Sequence, residues 1–151
     1  MKKFLKFAII LVPWFLSAIF FKTDKTFYKN INKPFFAPSP ILFPIVWTIL
    51  YILLAISIYL IFRDNKISET KEYSKFLTIN YVANQAFQFL FFTIKSPFLA
   101  LIDTIIVFIS SLYLYYEAKK LNTTSSKLLI PYIIWNGFAT ILIMFIFFMN
   151  L

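Results

Sequence analysis

An all-α membrane protein, built as a single bundle of five transmembrane helices, is the fold class this sequence predicts. Three observations carry that reading. The 151 residues are 61% hydrophobic and only 14% charged, with a mean hydropathy of +0.81, which leaves too little polar surface for a soluble globule of ordinary make-up. Apolar runs of about 20 residues recur, the length that crosses a ~30 Å hydrocarbon core at about 1.5 Å per residue. The 15 Lys and Arg residues gather at the ends of those runs and not in one stripe, so the net charge of +9 reads as anchoring to membrane lipid headgroups and not as nucleic-acid binding. One bundle uses the whole chain, residues 1–151, as a single domain, and no internal repeat is evident.

The first helix is expected at about residues 4–21. MKKFLK followed by FAIILVPWFLSAIFF has the charge pattern of a signal peptide but lacks its small-residue cleavage site, so the segment reads as an uncleaved span. Pro13 inside it predicts a kink, and Trp14 reads as packing. Residues 22–40 form a loop of unusual length for so small a bundle. Its prolines and its aromatic residues Phe27, Tyr28, Phe35 and Phe36 predict a packed lid. Pro34, Pro38 and Pro40 each fix their own φ and push the preceding residue away from helical geometry, which makes the end of this loop stiff.

The second helix follows at about residues 41–62, uncharged until Arg63. Pro44 in its first turn costs little, because early N–H groups lack helical partners anyway. Trp47 and Tyr51, spaced i,i+4, share a face. RDNKISETKEYSK then reads as a solvated linker. The third helix, about residues 76–94, carries Asn80, Asn84 and Gln88 at i, i+4, i+8 with Gln85 beside them. Amides facing lipid are costly, so this stripe points inward, either to hydrogen-bond neighbouring helices or to line a ligand cavity. A fourth helix is expected at about residues 98–116, a linker at 117–127, and a fifth helix at about 128–149. In the fifth, Trp135 and Ala139 share a face, and Gly137, the single glycine of the chain, marks a close approach of another helix.

Asp103 is the sole carboxylate inside an apolar run. Burial there is expensive, which makes it a functional candidate; the competing reading is an anion favoured by the nearby helix N-terminus, or one paired with a Lys or an amide across the bundle. Five spans put the termini on opposite sides. Ten basic residues (Lys2, Lys3, Lys6; Arg63, Lys66, Lys71, Lys75; Lys119, Lys120, Lys127) then lie on the N-terminal side against five on the other, so the N-terminus is expected in the cytoplasm, with the protein in the cell membrane. Small residues around Ala83 and Ala86 offer a sparse face for a homodimer. The absence of Cys and His removes disulfides, thiolate chemistry, the commonest general base and the usual haem axial ligands. No hydrolytic triad or metal site is expected, and no cofactor.

Three segments together carry a resemblance. KPFFAPSPILFPIVWTILYILLAI resembles the signature of the TspO/MBR family, also called translocator protein or peripheral-type benzodiazepine receptor, in which a K-P-x-x-x-P-P loop enters a helix bearing P-x-W-T-x-L-Y. NYVANQAFQFLFF is similar to the family's third helix, N-x-x-W-S-x-x-F-F, and LLIPYIIWNGFATILIMFIFFMN to its fifth, P-Y-x-x-W-x-x-F-A-T. The order and spacing of the three cover essentially the whole chain. The resemblance implies a pocket that opens towards the loop between helices one and two and binds tetrapyrroles such as protoporphyrin IX and haem. It also implies, in bacterial members, light-dependent porphyrin breakdown.

Carried over by position, the resemblance places the pocket tryptophans at Trp47 and Trp135, the loop tyrosine at Tyr28, the third-helix amide at Asn84 and the acidic residue at Asp103. Pro38, Tyr51, Gln88 and Ala139 complete the expected ligand-binding set. Trp47 and Trp135 would also be the reactive pair if porphyrin is degraded. Flat indoles suit a macrocycle, and loop lysines suit its propionates. Phe36 and Phe87 stand where the family has Trp, and the C-terminal segment lacks the Tyr and Arg of the proposed cholesterol motif, so sterol recognition there is not expected. The alternative function is a small membrane transporter of lipophilic or anionic substrates, using Asp103 and the third-helix amides.

Overall fold

The computed structural model describes residues 2–151, with side chains from Phe4 onward. The side chains of Lys2 and Lys3, expected at headgroups, lie outside the described residues. The described chain is all helical and has no strand: α1 (Lys2–Leu11), α2 (Leu16–Phe20), α3 (Lys25–Asn30), α4 (Leu42–Asp64), α5 (Lys71–Gln88), α6 (Pro97–Leu121), α7 (Thr123–Leu128) and α8 (Ile130–Met149). Among the described residues three helices are long and apolar enough to cross a membrane: Leu42–Asp64, Pro97–Leu121 and the joined pair Thr123–Met149. The segment Phe4–Phe20 is apolar but shorter.

The expected first helix is broken where proline predicts it. Val12–Phe15 tightens into a 3₁₀ turn at Pro13, and this turn divides α1 from α2. The carbonyls at the break find donors on α5. Tyr81 Oη donates to the Pro13 carbonyl (3.1 Å), Gln85 Nε2 donates to that of Trp14 (3.1 Å), and the Ser17 N–H donates to Gln85 Oε1 (2.8 Å). The amide stripe of α5 is thus what makes a broken helix tolerable in an apolar bundle.

Three boundaries differ from expectation. The lid is not a loop throughout, since residues 25–30 form α3. Asp24 caps that helix by accepting from the Phe27 N–H (2.9 Å), and the Lys33 ammonium donates to the carbonyls of Tyr28, Lys29 and Ile31 at its other end. The linker after Arg63 ends early, because α5 starts at Lys71, where Tyr73 is fully buried and holds the polar first turn in place. The linker expected at 117–127 is almost wholly helical: α6 continues to Leu121, and Asn122 caps α7 by accepting from the Ser125 N–H (2.9 Å). Polar composition suggested loops there, but buried Ala118, Ser125 and Ser126 pack as helix.

α5 packs along α6, α6 along α8 and α7, and α4 along α1 and α7, while α2 leans on α5. This closes a ring. Ala83 is buried within it and so is not presented outward. Gly137 lets α8 approach α6, since a Cβ at that position would lie 3.2 Å from the Phe108 ring. Two apolar clusters fill the ring. One surrounds Leu54, Ile58, Ile61, Leu114, Leu129 and Tyr132; the other, beneath the lid, surrounds Tyr28, Phe91, Leu142, Ile143 and Ile146.

Candidate functional site: an aromatic cavity beneath the lid

A cavity of about 320 Å³ lies between the two clusters, near the lower end of the ~300–1,000 Å³ range of small-molecule sites. Its walls follow from helical spacing. Phe43, Trp47 and Tyr51 recur every fourth residue of α4, Asn84 and Gln88 do so on α5, and Trp135 and Ala139 on α8. Asp103, Thr104 and Val107 of α6 form the side opposite α4, and Lys25 and Tyr28 of α3 contribute from above.

The rings meet mostly at steep angles. Trp47 and Trp135 lie 6.5 Å apart between centroids at 89°, and Phe43 meets Trp135 at 6.2 Å and 73°. Trp47 also leans on Tyr51 (5.3 Å, 38°), which in turn leans on Trp14 (5.6 Å, 35°). The floor is a buried hydrogen-bond chain. Tyr51 Oη donates to Asn84 Oδ1 (2.7 Å), Asn84 Nδ2 donates to Tyr132 Oη (3.2 Å), and Tyr132 Oη donates to Asn80 Oδ1 (2.7 Å). Asn80 Nδ2 ends it on the Val107 carbonyl (3.0 Å) and Ser110 Oγ (2.9 Å). Both readings of the amide stripe therefore apply, divided by depth. Asn80 joins helices, Asn84 joins helices and faces the cavity, and Gln88 faces the cavity and donates to Thr23 Oγ1 (2.6 Å).

Three polar atoms of the cavity walls have no hydrogen-bond partner among the described residues: Asp103 Oδ2, Asn136 Nδ2 and Trp135 Nε1. Asp103 is 5% exposed and Asn136 is 3% exposed, so water does not replace those partners freely. Among the described residues Asp103 makes no ion pair. Buried groups of this kind offer one acceptor oxygen and two donor nitrogens to whatever fills the space.

The roof is tied down at both edges. Lys95 pairs with Asp24 (2.9 Å), and Asn32 and Asn150 clasp each other: the Asn32 N–H donates to Asn150 Oδ1 (3.1 Å), and Asn150 Nδ2 donates to the Asn32 carbonyl (2.9 Å). The Phe27 N–H, and then Lys95, hold the Asp24 carboxyl below its ordinary range. Tyr28 Oη donates to the Pro38 carbonyl (3.2 Å), and burial raises the Tyr28 phenol above its ordinary value.

Of the residues singled out in the sequence, Tyr28, Trp47, Tyr51, Asn84, Gln88, Asp103, Trp135 and Ala139 line this one cavity. Pro38 does not: it supports Tyr28 through its carbonyl and faces a separate groove. The sequence reading missed Trp14, Ser17, Phe43 and Asn136, which also line the cavity. Trp14 is both packed, at 3% exposure, and part of the wall. The spacing of Phe43 to Trp47 and Tyr51 was a signal available in the sequence, as was the lone amide Asn136 beside Trp135. For Trp14, beyond a proline break whose angle is set by α5, no such signal exists.

A closed ring of apolar helices around an aromatic cavity, roofed by a folded loop, defines a helical membrane protein with a cavity in its interior. The chain belongs to the TspO/MBR family, which it matches over residues 6–149. It is 34% identical over 129 residues to the tryptophan-rich protein TspO of Bacillus cereus, covering 85% of this chain and 84% of that one. It is 37% identical over 131 residues to the uncharacterized membrane protein YtaB of Bacillus subtilis (87% and 84%). To the tryptophan-rich sensory protein of Cereibacter sphaeroides it is 26% identical over 113 residues (75% and 70%).

Proposed function

We propose that this protein is a five-span protein of the cell membrane, with its N-terminus in the cytoplasm, that binds a tetrapyrrole such as protoporphyrin IX or haem in the cavity beneath the lid. In this reading the first helix, α4, α5, α6 and α8 are the spans, and the ten-to-five split of basic residues supports the orientation. The carrying observation is the wall itself: Trp47 and Trp135 from facing helices meet edge to face, 6.5 Å apart, in a mainly apolar space. Ring faces of this kind favour a flat aromatic guest by about 0.5–1.5 kcal/mol per pair beyond area burial. Lys25 at the lid is placed to meet a ligand carboxylate. With no His in the chain, Tyr and Met are the remaining axial ligands for iron, which favours the metal-free porphyrin over haem.

The Trp47–Trp135 pair also supports light-dependent porphyrin degradation as a second reading. The transport alternative receives less support, because Asn80 and Asn84 are committed to neighbouring helices and do not form an open polar path. The test is quenching of Trp fluorescence by protoporphyrin IX in the dark, followed by absorbance under light. Saturable quenching that weakens in Trp47→Phe and Trp135→Phe is expected, and its absence in the wild-type protein would sink the porphyrin reading. Loss of porphyrin absorbance under light, abolished in either variant while binding survives, would add the enzyme.

A further inference from the structure

The cavity has two boundaries across which a ligand could pass, and they are built differently. The roof is latched by the Asp24–Lys95 pair on one side and by the Asn32–Asn150 clasp on the other. The flank between α4 and α8 has no such tie. Those two helices meet chiefly through rings, Trp47 against Tyr132 and Trp135, and Phe43 against Trp135, while α5 and α6, and α6 and α8, pack along their lengths. Outside this seam runs a groove of about 610 Å³. Leu42, Val46 and Leu50, every fourth residue of α4, form one wall, and Ile134, Trp135 and Phe138 of α8 form the other. Trp135 lines the groove and the cavity alike, so one indole ring separates them.

Both α4 and the α7–α8 pair are long and apolar enough to cross a membrane, which sets the groove against hydrocarbon. The groove walls are apolar, whereas the roof carries Lys25, Asp24 and Lys95. A flat apolar molecule dissolved in the bilayer meets no charged group on the lateral route. The indole that closes it is held by packing, because Trp135 Nε1 has no hydrogen-bond partner among the described residues. Moving the Trp135 ring breaks no hydrogen bond, whereas opening the roof breaks an ion pair and several hydrogen bonds.

We propose that the α4–α8 groove is a lateral portal through which the flat apolar ring system of a ligand passes between the hydrocarbon of the bilayer and the cavity, with the Trp135 ring as its gate. The inference rests on the cavity being the binding site. The chain contains no Cys, so an Asn32→Cys, Asn150→Cys variant can be joined by a short bis-maleimide linker to lock the roof, with the link verified by mass. The portal can be plugged from either wall by Val46→Trp or Ile134→Trp.

The experiment mixes protein in liposomes with vesicles preloaded with protoporphyrin IX and follows the rate of quenching. The locked roof should leave the uptake rate within about twofold of wild type. The plugs should slow uptake about tenfold, a rise of about 1.4 kcal/mol in the entry barrier, with equilibrium affinity and melting temperature preserved. Uptake blocked by the locked roof and untouched by both plugs would overturn the portal and assign entry to the lid. Wild-type protein that shows no saturable quenching at equilibrium would fail the binding reading itself, and the portal with it.

Discussion

The two halves of the bundle obey the same packing physics and reach opposite results. In the half remote from the lid, small residues let the helices touch: Ala55, Ala118 and Ser57 are completely buried, and Ser57 and Ser125 bond each other's carbonyls at 3.0 and 2.9 Å. Leu54, Ile61, Leu114 and Leu129 fill the remaining space. On the lid side, Phe43, Trp47, Phe91 and Trp135 are too large to interdigitate, and the roof holds the helix ends in place without filling the gap between them. A cavity is what remains when bulky rings line a ring of helices whose other half is fully closed. Filled packing belongs mainly to the first half and open space to the second.

The sharpest way to break that division is a large-to-small change in each half. Leu54→Ala should cost about 2–5 kcal/mol in detergent unfolding, because it opens a void in a filled region. Leu142→Ala, which borders space already present, should cost about half as much or less. Equal losses would refute the contrast.

Next in size is Tyr132→Phe at the boundary. It removes the donor to Asn80 Oδ1 and the acceptor for Asn84 Nδ2, and leaving such groups buried without partners should cost about 1–3 kcal/mol, read by the same unfolding assay. A change of a few tenths would mean the chain is not structural. Trp47→Phe should separate the halves in the other direction. Its stability should stay within about 1 kcal/mol of wild type, while affinity for protoporphyrin IX falls by up to about tenfold. A smaller effect is expected at Gly137→Ala. A gain of about 1 kcal/mol in helix propensity opposes a comparable cost of moving the Phe108 ring, so the melting temperature should barely change.

The smallest effect concerns the lid alone. The Phe27 N–H and Lys95 depress the Asp24 carboxyl, so its contribution to the latch is present above its ordinary value of 3.8 and is lost as the pH falls through the lowered folded value. Hydrogen exchange at residues 24–33 should accelerate in that acid range while the remote half keeps its protection. Protection falling in both halves together would show that the lid is not a separate unit.

How much was legible beforehand varies by element. α4 and the later spans could be read because an apolar run longer than the bilayer core has few other fates, and the inward turn of Asn80, Asn84 and Gln88 followed from the cost of amides in lipid. The start of α5 and the 117–127 segment could not, because Lys71, Glu72, Lys119 and Lys120 are polar at helix ends for the sake of the interface, and polarity alone does not distinguish a helix end from a loop. Trp14 was legible as a packed ring and illegible as a wall of the cavity.

By itself the sequence determined the all-helical class, the proline break, the family and the facing of Trp47 with Tyr51 and of Trp135 with Ala139. Those are consequences of local sterics, hydropathy and a 3.6-residue period. Helix packing set the rest: among the described residues Asp103, Asn136 and Trp135 keep polar atoms without partners, Tyr132 joins Asn80 to Asn84, and one indole lines both the cavity and the α4–α8 groove. Such facts depend on distances between helices, and those distances arise from the packing of every neighbour at once.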